Sequence, residues 1–250
     1  MLRGIYTAAS GMMNLQMATD TLANNIANVN TTGFKSRYVQ YQAFPEISVS
    51  RVDRSGAPDI GQLTTGVEIV GTPLHFSQGT LQPTGNPLDV AIDGQGFLAV
   101  ALPNGETGYT RNGNLKLNEN RELTIEGQYK VLDRSNNPMV LPPEAKKVVI
   151  TEDGNVSTEA GQPIGQLRLV RFSNPKGLHA QGDSILRGDS PIDIENGQGA
   201  KVVQGYVERS NTNVVHEMIQ SITGMRLYES LQKSINTQSA TLEKAVNDLK

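Results

Sequence analysis

The chain opens on a heptad. Ile5, Met12, Thr19 and Ile26 recur every seven residues, and Ala8, Leu15, Leu22 and Val29 follow three residues behind them in the same register. That spacing predicts the a/d seam of a helix packed along a partner, with one polar position at Thr19. About 28 helical residues would span roughly 40 Å at 1.5 Å each. Arg3 and Asp20 are the only charges before Lys35, and the off-seam positions are mostly Ala, Ser, Thr, Gln and Asn. A solvated helix usually carries a charged face. Small and amide side chains nearly all round suit close neighbours on several sides. The pattern stops at Thr31-Thr32-Gly33, where Gly33 can take positive φ beyond a helix end.

The far end answers it. Val215, Met218, Ile222, Met225, Tyr228, Leu231, Ile235, Gln238, Leu242, Ala245 and Leu249 run at steps of three and four, with consecutive threes around Met225. Such a lost residue predicts a stammer that overwinds a supercoil locally, and Gly224 beside it weakens the helix. Both ends therefore want helical partners, and each is the other's nearest candidate. Spacing leaves two readings open. The pair either only closes a domain, or forms the adhesive part of a subunit in a larger helical assembly. The seam residues expected at the subunit interface are Ile5, Met12, Leu15, Leu22, Ile26 and Val29 in the first helix. In the last they are Met218, Ile222, Met225, Leu231, Ile235 and Leu242.

Between the ends the period changes. Phe34 to Val52 alternates loosely and is interrupted at Pro45, Ser50 to Gly61 is a polar linker with turn signals, and Val67 to Gly71 reads as a short strand. From Pro87 the pattern is all-β. Leu88 to Ile92 and Phe97 to Leu102 flank Asp93-Gly94-Gln95-Gly96. Tyr109 to Arg111 and Leu115 to Leu117 flank Asn112-Gly113-Asn114. Leu123 to Ile125 and Tyr129 to Leu132 flank Glu126-Gly127-Gln128. Each is a hairpin signal. Further strands are predicted over Lys146 to Thr151, Gly165 to Phe172, Ser184 to Arg187 and Lys201 to Val207, in a small sandwich or barrel. The fold class is thus α+β: long N- and C-terminal helices paired as a coiled-coil-like stem, with an inserted all-β domain. The predicted boundaries are 1–33 for the first stem helix, 34–80 for an extended region, 81–210 for the β insertion and 211–250 for the last helix.

Composition narrows the chemistry. A net charge of -3 and no basic cluster with interleaved aromatics argue against nucleic acid. The absence of Cys removes disulfides, thiolate metal sites and Cys nucleophiles together. No apolar run reaches the ~18 residues a membrane span needs. No apolar stretch follows Arg3, so no cleaved secretory leader is expected. Asp93 to Gly96 lies between strands rather than before a helix, which makes it a turn and not a phosphate cradle. His75, His179 and His216 are far apart, with no acid at ligand spacing. Asp89, Asp93, Asp133 and Glu122 fall in or beside strands, where solvated edge charges are the plain expectation. No catalytic, cofactor or metal residue is assigned, and no enzyme activity is expected. Asn24, Asn25, Asn28 and Asn30 are the notable polar set. They are either helix-ending amides or an amide ladder between subunits.

The stretch Leu22-Ala-Asn-Asn-Ile-Ala-Asn-Val-Asn-Thr-Thr-Gly-Phe-Lys35 closely resembles the N-terminal signature of bacterial flagellar rod and hook proteins. Pro87 to Leu98 and Tyr109 to Asn114 are similar to the family's central motifs, and Gly205 to Val215 to its C-terminal Ser-Asn-x-Asn pattern. The motif residues that carry the likeness are Asn24, Asn25, Asn28, Thr32, Gly33, Phe34, Lys35, Ser210, Asn211 and Asn213. Length and a single β insertion resemble the basal-body rod members, and Ala43 to Arg51 looks more like the proximal than the distal type. The resemblance implies a structural subunit of the flagellar basal body. Copies of the chain would stack with other rod and hook proteins into a tubular drive shaft that transmits torque and encloses the export channel. It also implies passage through the flagellar type III export apparatus to the cell envelope without a cleaved leader. Rival readings are an envelope enzyme or carbohydrate-binding module on a stalk, and another helical-tube protein of a phage tail or secretion needle.

Overall fold

The computed structural model describes residues 2–50, 59–64, 66–145, 147–182, 184–194 and 199–247. Most of the predicted linker from Ser50 to Gly61, the first residue of the predicted strand at Lys146, and Leu249 lie outside them. A helix α1 spans Leu2–Ala27 and a helix α2 spans Val214–Asn247. Between them the described residues form strands, turns and loops, with one short 3-10 turn. The chain divides into two compact units. One holds residues 1–27, 37–73 and 213–250, and the other holds 28–36 and 74–212.

In the first unit the two helices pair antiparallel. A side chain at Gly4 would meet Gln238, one at Gly11 would meet Leu231, and one at Gly224 would meet Thr19. Asn25 reaches Glu217 at the other end. The face of α2 that turns from solvent is Val214, Glu217, Ser221, Gly224, Tyr228, Leu231, Ile235, Gln238 and Leu242. Its steps alternate three and four without a break, so the predicted stammer is absent. Through the first half of α2 the seam runs one residue earlier than the apolar positions. Val215, Met218, Ile222 and Met225 are instead exposed by more than half. From Tyr228 onward the expected and observed positions coincide. In the first half of α2 the half-buried positions are thus Val214, Glu217, Ser221 and Gly224, and the bulkier apolar residues are left outside.

The helix α1 has 26 residues and ends at Ala27 rather than running on to Thr31. Val29 therefore falls in the following turn, within the second unit and outside the helix. Ala8 is buried, and Ile5, Met12, Leu15, Thr19, Leu22 and Ile26 are half-buried. Part of that covering is a two-stranded ribbon of Gln40–Ala43 and Val67–Gly71. Asn14 donates to the Val67 carbonyl at 2.5 Å, and Gly66 leaves room for Phe44 and Ser10.

The second unit is the β insertion together with residues 28–36. Phe97–Ala101 is its central strand, pairing with Thr107–Thr110, Tyr129–Val131 and Leu169–Arg171. Around it lies a core of Ile92, Leu98, Val100, Leu123, Ile125 and their neighbours, all but excluded from water. Two of the three predicted hairpins do not form. Val90–Gly94 pairs with Ala200–Gln204, not with Phe97–Ala101 across Asp93 to Gly96. Leu115–Leu117 pairs with Leu123–Ile125, not with the strand before Asn112-Gly113. Both glycine-rich turns are corners between different strand pairs. Gly94 has φ +102 and lies against the Gly199 backbone, and Gly113 lies on the Val90 carbonyl, where any side chain would collide. The third hairpin, Leu123–Ile125 with Tyr129–Val131, forms as predicted.

Candidate functional site

The turn that follows α1 belongs to the second unit. Asn28 begins it: its carbonyl accepts from Thr31 N at 3.1 Å, and its side-chain oxygen accepts from the Thr31 hydroxyl. Gly33 follows at φ +69. Its N–H donates to the Glu208 carbonyl at 2.8 Å, and a methyl group there would fall on the backbone of Arg111 and Asn112. Only glycine meets both the positive φ and the close approach. Thr32 and Phe34 are half-buried on either side.

Lys35 then carries its ammonium into the interior. Lys35 is 4% exposed and Glu208 0%. Nζ donates to Glu208 Oε1 at 2.6 Å and to the Ser77 carbonyl at 2.8 Å. Gly79 N–H also donates to Oε1, at 2.8 Å. Arg111 Nη1 donates to Oε2 at 3.0 Å, its Nη2 to the Gly94 carbonyl at 2.5 Å, and its guanidinium lies over the Phe97 ring, 5.4 Å from the centroid. Two cations thus share one buried carboxylate. Burial pushes the Lys35 amine below its ordinary value of 10.5, while the charge of Glu208 and its hydrogen bond pull the other way. An ion cluster of this kind costs desolvation and holds only when each remaining donor and acceptor is met. Here backbone carbonyls and one backbone N–H meet most of them.

Amides tie the surrounding segments together in each unit. In the second, Asn211 accepts from Ser36 N at 2.8 Å and donates to the carbonyls of His75 and Ser77 and to the Ser77 hydroxyl. Ser210 is held by Thr212 through hydroxyl and backbone. Arg209 Nη2 donates to Asn30 Oδ1 at 2.7 Å. In the first unit Asn25 is 1% exposed, accepts from Arg37 N at 2.9 Å and donates to the Arg37 carbonyl at 2.8 Å. Asn213 caps α2, its side-chain oxygen accepting from His216 N at 3.1 Å. Asn24 is exposed on α1. In the amide set that starts the motif, the side chains of Asn25, Asn28 and Asn30 accept hydrogen bonds within the chain.

Glu208 and Arg111 are site residues that sequence reading misses. Each stands inside a quoted motif, yet nothing in spacing pairs a lysine with a glutamate 173 positions away. Asp89 likewise departs from the solvated edge expected of it. It is 2% exposed and accepts from the Asn86 and Asn114 side chains at 3.0 and 3.2 Å. Among the described residues no group of three His, Cys, Asp or Glu is arranged to hold a metal ion. Nor is any helix among them long and apolar enough to cross a membrane.

The described residues thus combine a buried ion cluster, paired end helices and bulky apolar side chains exposed on α2. Three family models match the chain in order. Residues 5–35 match the flagella basal body rod protein model, 91–158 the D1 domain of the flagellar hook protein FlgE/F/G model, and 203–249 the C-terminal model of the flagellar basal body rod FlgEFG proteins. These place it in the hook and rod class. The FlgG basal-body rod protein of Borreliella burgdorferi is 37% identical over 99% of this chain and 98% of its own length. That of Bacillus subtilis is 32% identical over 99% of both. A FlgF basal-body rod protein of Mesorhizobium japonicum is 31% identical over 98% of this chain and 97% of its own length. The chain belongs to the flagellar basal-body rod protein family, and its role is that of a structural subunit of the rod.

Proposed function

We propose that copies of this chain assemble helically, with other rod and hook proteins, into the tubular shaft that transmits motor torque and encloses the export channel. The observation that supports this is the division of labour on the paired helices. Glycine, alanine and polar groups make much of the intrachain seam, while Tyr6, Met13, Met17, Val215, Met218 and Ile222 stay in solvent. Apolar strips of this size want protein partners. The heptad spacing of the α2 seam supports a coiled-coil-like stem. The role is structural rather than enzymatic, exercised in the cell envelope after passage through the flagellar type III apparatus. Within the family the chain is more similar to the Borreliella FlgG protein than to the Mesorhizobium FlgF protein, at 37% against 31% identity.

Electron microscopy of the purified protein, with and without other rod proteins, tests this reading. Tubular assemblies are expected, and a strictly monomeric protein with a motile deletion strain would overturn it. Labelling the assembled chain in isolated basal bodies also reads whether it sits proximally or distally along the shaft.

A further inference from the structure

Methionine is distributed unevenly over this chain. Met13 and Met17 on α1 are 68% and 51% exposed, and Met218 and Met225 on α2 are 52% and 54% exposed. Met139 is the opposite case. It is 3% exposed, sits in the β core, and has its backbone N–H and carbonyl tied to Val131 and Leu123. Met12 is half-buried on α1. The chain has neither Cys nor Trp, so no thiol or indole competes for an oxidant. Its thioethers are then the groups that a peroxide attacks first, and access decides which of them react. A thioether is soft and adaptable, which suits an apolar contact surface. Its sulfoxide is polar and no longer does.

We propose that Met13, Met17, Met218 and Met225 form a reversible oxidation site at which peroxide blocks assembly of the free subunit. The inference rests on the rod-assembly reading and adds a means of control to it. In each event a thioether sulfur gives a lone pair to one oxygen of hydrogen peroxide. An S–O bond forms, the O–O bond breaks, and water leaves. The sulfur is oxidised and the peroxide reduced. Two thiols of a methionine sulfoxide reductase reverse the change, taking the oxygen back as water and closing a disulfide. Met139 is spared because the core excludes the oxidant. Each oxidised side chain that would otherwise be covered by another subunit weakens its contact by about tenfold.

The full-length chain is treated with hydrogen peroxide, quenched, and mixed with other rod proteins. Peptide mass mapping locates the added oxygen, and electron microscopy counts the tubes. Oxygen is expected at Met13, Met17, Met218 and Met225 well before Met139. Tube formation should fall about tenfold or more, while the near-ultraviolet circular dichroism of the tyrosines stays unchanged. Methionine sulfoxide reductases for both sulfoxide epimers should then remove the oxygen and restore assembly. Undiminished assembly of the oxidised chain, or oxidation of Met139 at the same rate, would overturn the proposal. So would a loss of assembly that the reductases do not reverse, or one that comes with loss of the tyrosine signal, since the block would then be unfolding. An untreated chain that forms no tubes is a distinct outcome. It would overturn the assembly reading itself, and this proposal with it.

Discussion

Lys35 Nζ meets Glu208 Oε1 at 2.6 Å across 173 residues of sequence. Glu208 also receives Arg111 and the Gly79 N–H, so the carboxylate is the centre of the cluster and the two cations are its periphery. Removing the centre and removing one arm should therefore differ. Glu208→Gln leaves two buried cations without an anion and should cost about 3–5 kcal/mol. Lys35→Met leaves a balanced Arg111–Glu208 pair and should cost less. Thermal denaturation of the purified variants, followed by near-ultraviolet circular dichroism of the tyrosines, reads the order. A Lys35→Met protein less stable than Glu208→Gln would show that the cluster is centred elsewhere.

The same cluster sets a pH dependence. The folded-state pKa of Lys35 lies below its ordinary 10.5, chiefly through burial. The unfolded chain then binds the proton more tightly than the folded one. Linkage makes the stability contribution of Lys35 rise with pH through the window between its lowered value and 10.5. Below that window the cost of burying the charged amine is present in full. Subtracting the pH profile of Lys35→Met from that of the native protein isolates this slope. A difference that falls over the same window would contradict the direction.

Much of this architecture is legible in the sequence, and the failures share a cause. The heptad at Ile5, Met12 and Ile26 announces α1, and the recurrence from Tyr228 to Leu242 announces α2. Expected and observed α2 seams part between Val215 and Met225 because apolar periodicity marks every apolar face alike, whether or not the chain itself covers it. Close helix contact selects Ser221 and Gly224 there, which hydropathy ignores. The turns at Asp93 to Gly96 and Asn112 to Asn114 are visible in the residues, but local signals cannot say which strand a corner leads to. Val90–Gly94 pairs with residues more than a hundred positions away. Lys35, Glu208 and Arg111 stand within recognisable motifs, while their meeting depends on the completed fold.

Gly33 and Gly85 separate two costs that sequence alone merges. Both have positive φ, +69 and +73, but a side chain at Gly33 meets the backbone of Arg111 and Asn112, whereas at Gly85 nothing lies within 4 Å. Gly85→Ala should cost only the backbone term, about 1 kcal/mol. Gly33→Ala adds a steric overlap that cannot relax without moving the backbone of the corner at Arg111 and Asn112, and should cost well over about 2 kcal/mol. Chemical denaturation of both variants decides it, and equal losses would show that the loop at Gly33 yields.

Gly224 offers the opposite sign. The nearest atom to an added Cβ is Thr19 Oγ1 at 3.7 Å, an ordinary contact. Glycine inside a helix costs roughly 0.5–1 kcal/mol relative to alanine, so Gly224→Ala should stabilise α2 by about that amount. Far-ultraviolet circular dichroism during denaturation measures it, and a loss of helix stability would mean that the seam is tighter than the 3.7 Å gap.

Asn25 shows why an amide and not a carboxylate stands at the end of α1. Its side chain accepts from Arg37 N and donates to the Arg37 carbonyl, and it reaches Glu217 Oε2 at 3.3 Å. Asn25→Ala removes these bonds and should cost about 1–3 kcal/mol. Asn25→Asp keeps the acceptor but turns the donor into an anion facing a carbonyl and a carboxylate, so near neutral pH it should cost more than alanine. Burial and a neighbouring negative charge raise a carboxyl pKa. Protonation restores one O–H donor, so the deficit of Asn25→Asp should shrink as pH falls through that raised value. Denaturation of the native, alanine and aspartate proteins across acidic to neutral pH tests the sequence of effects, and a deficit independent of pH would mean that the side chain does not donate.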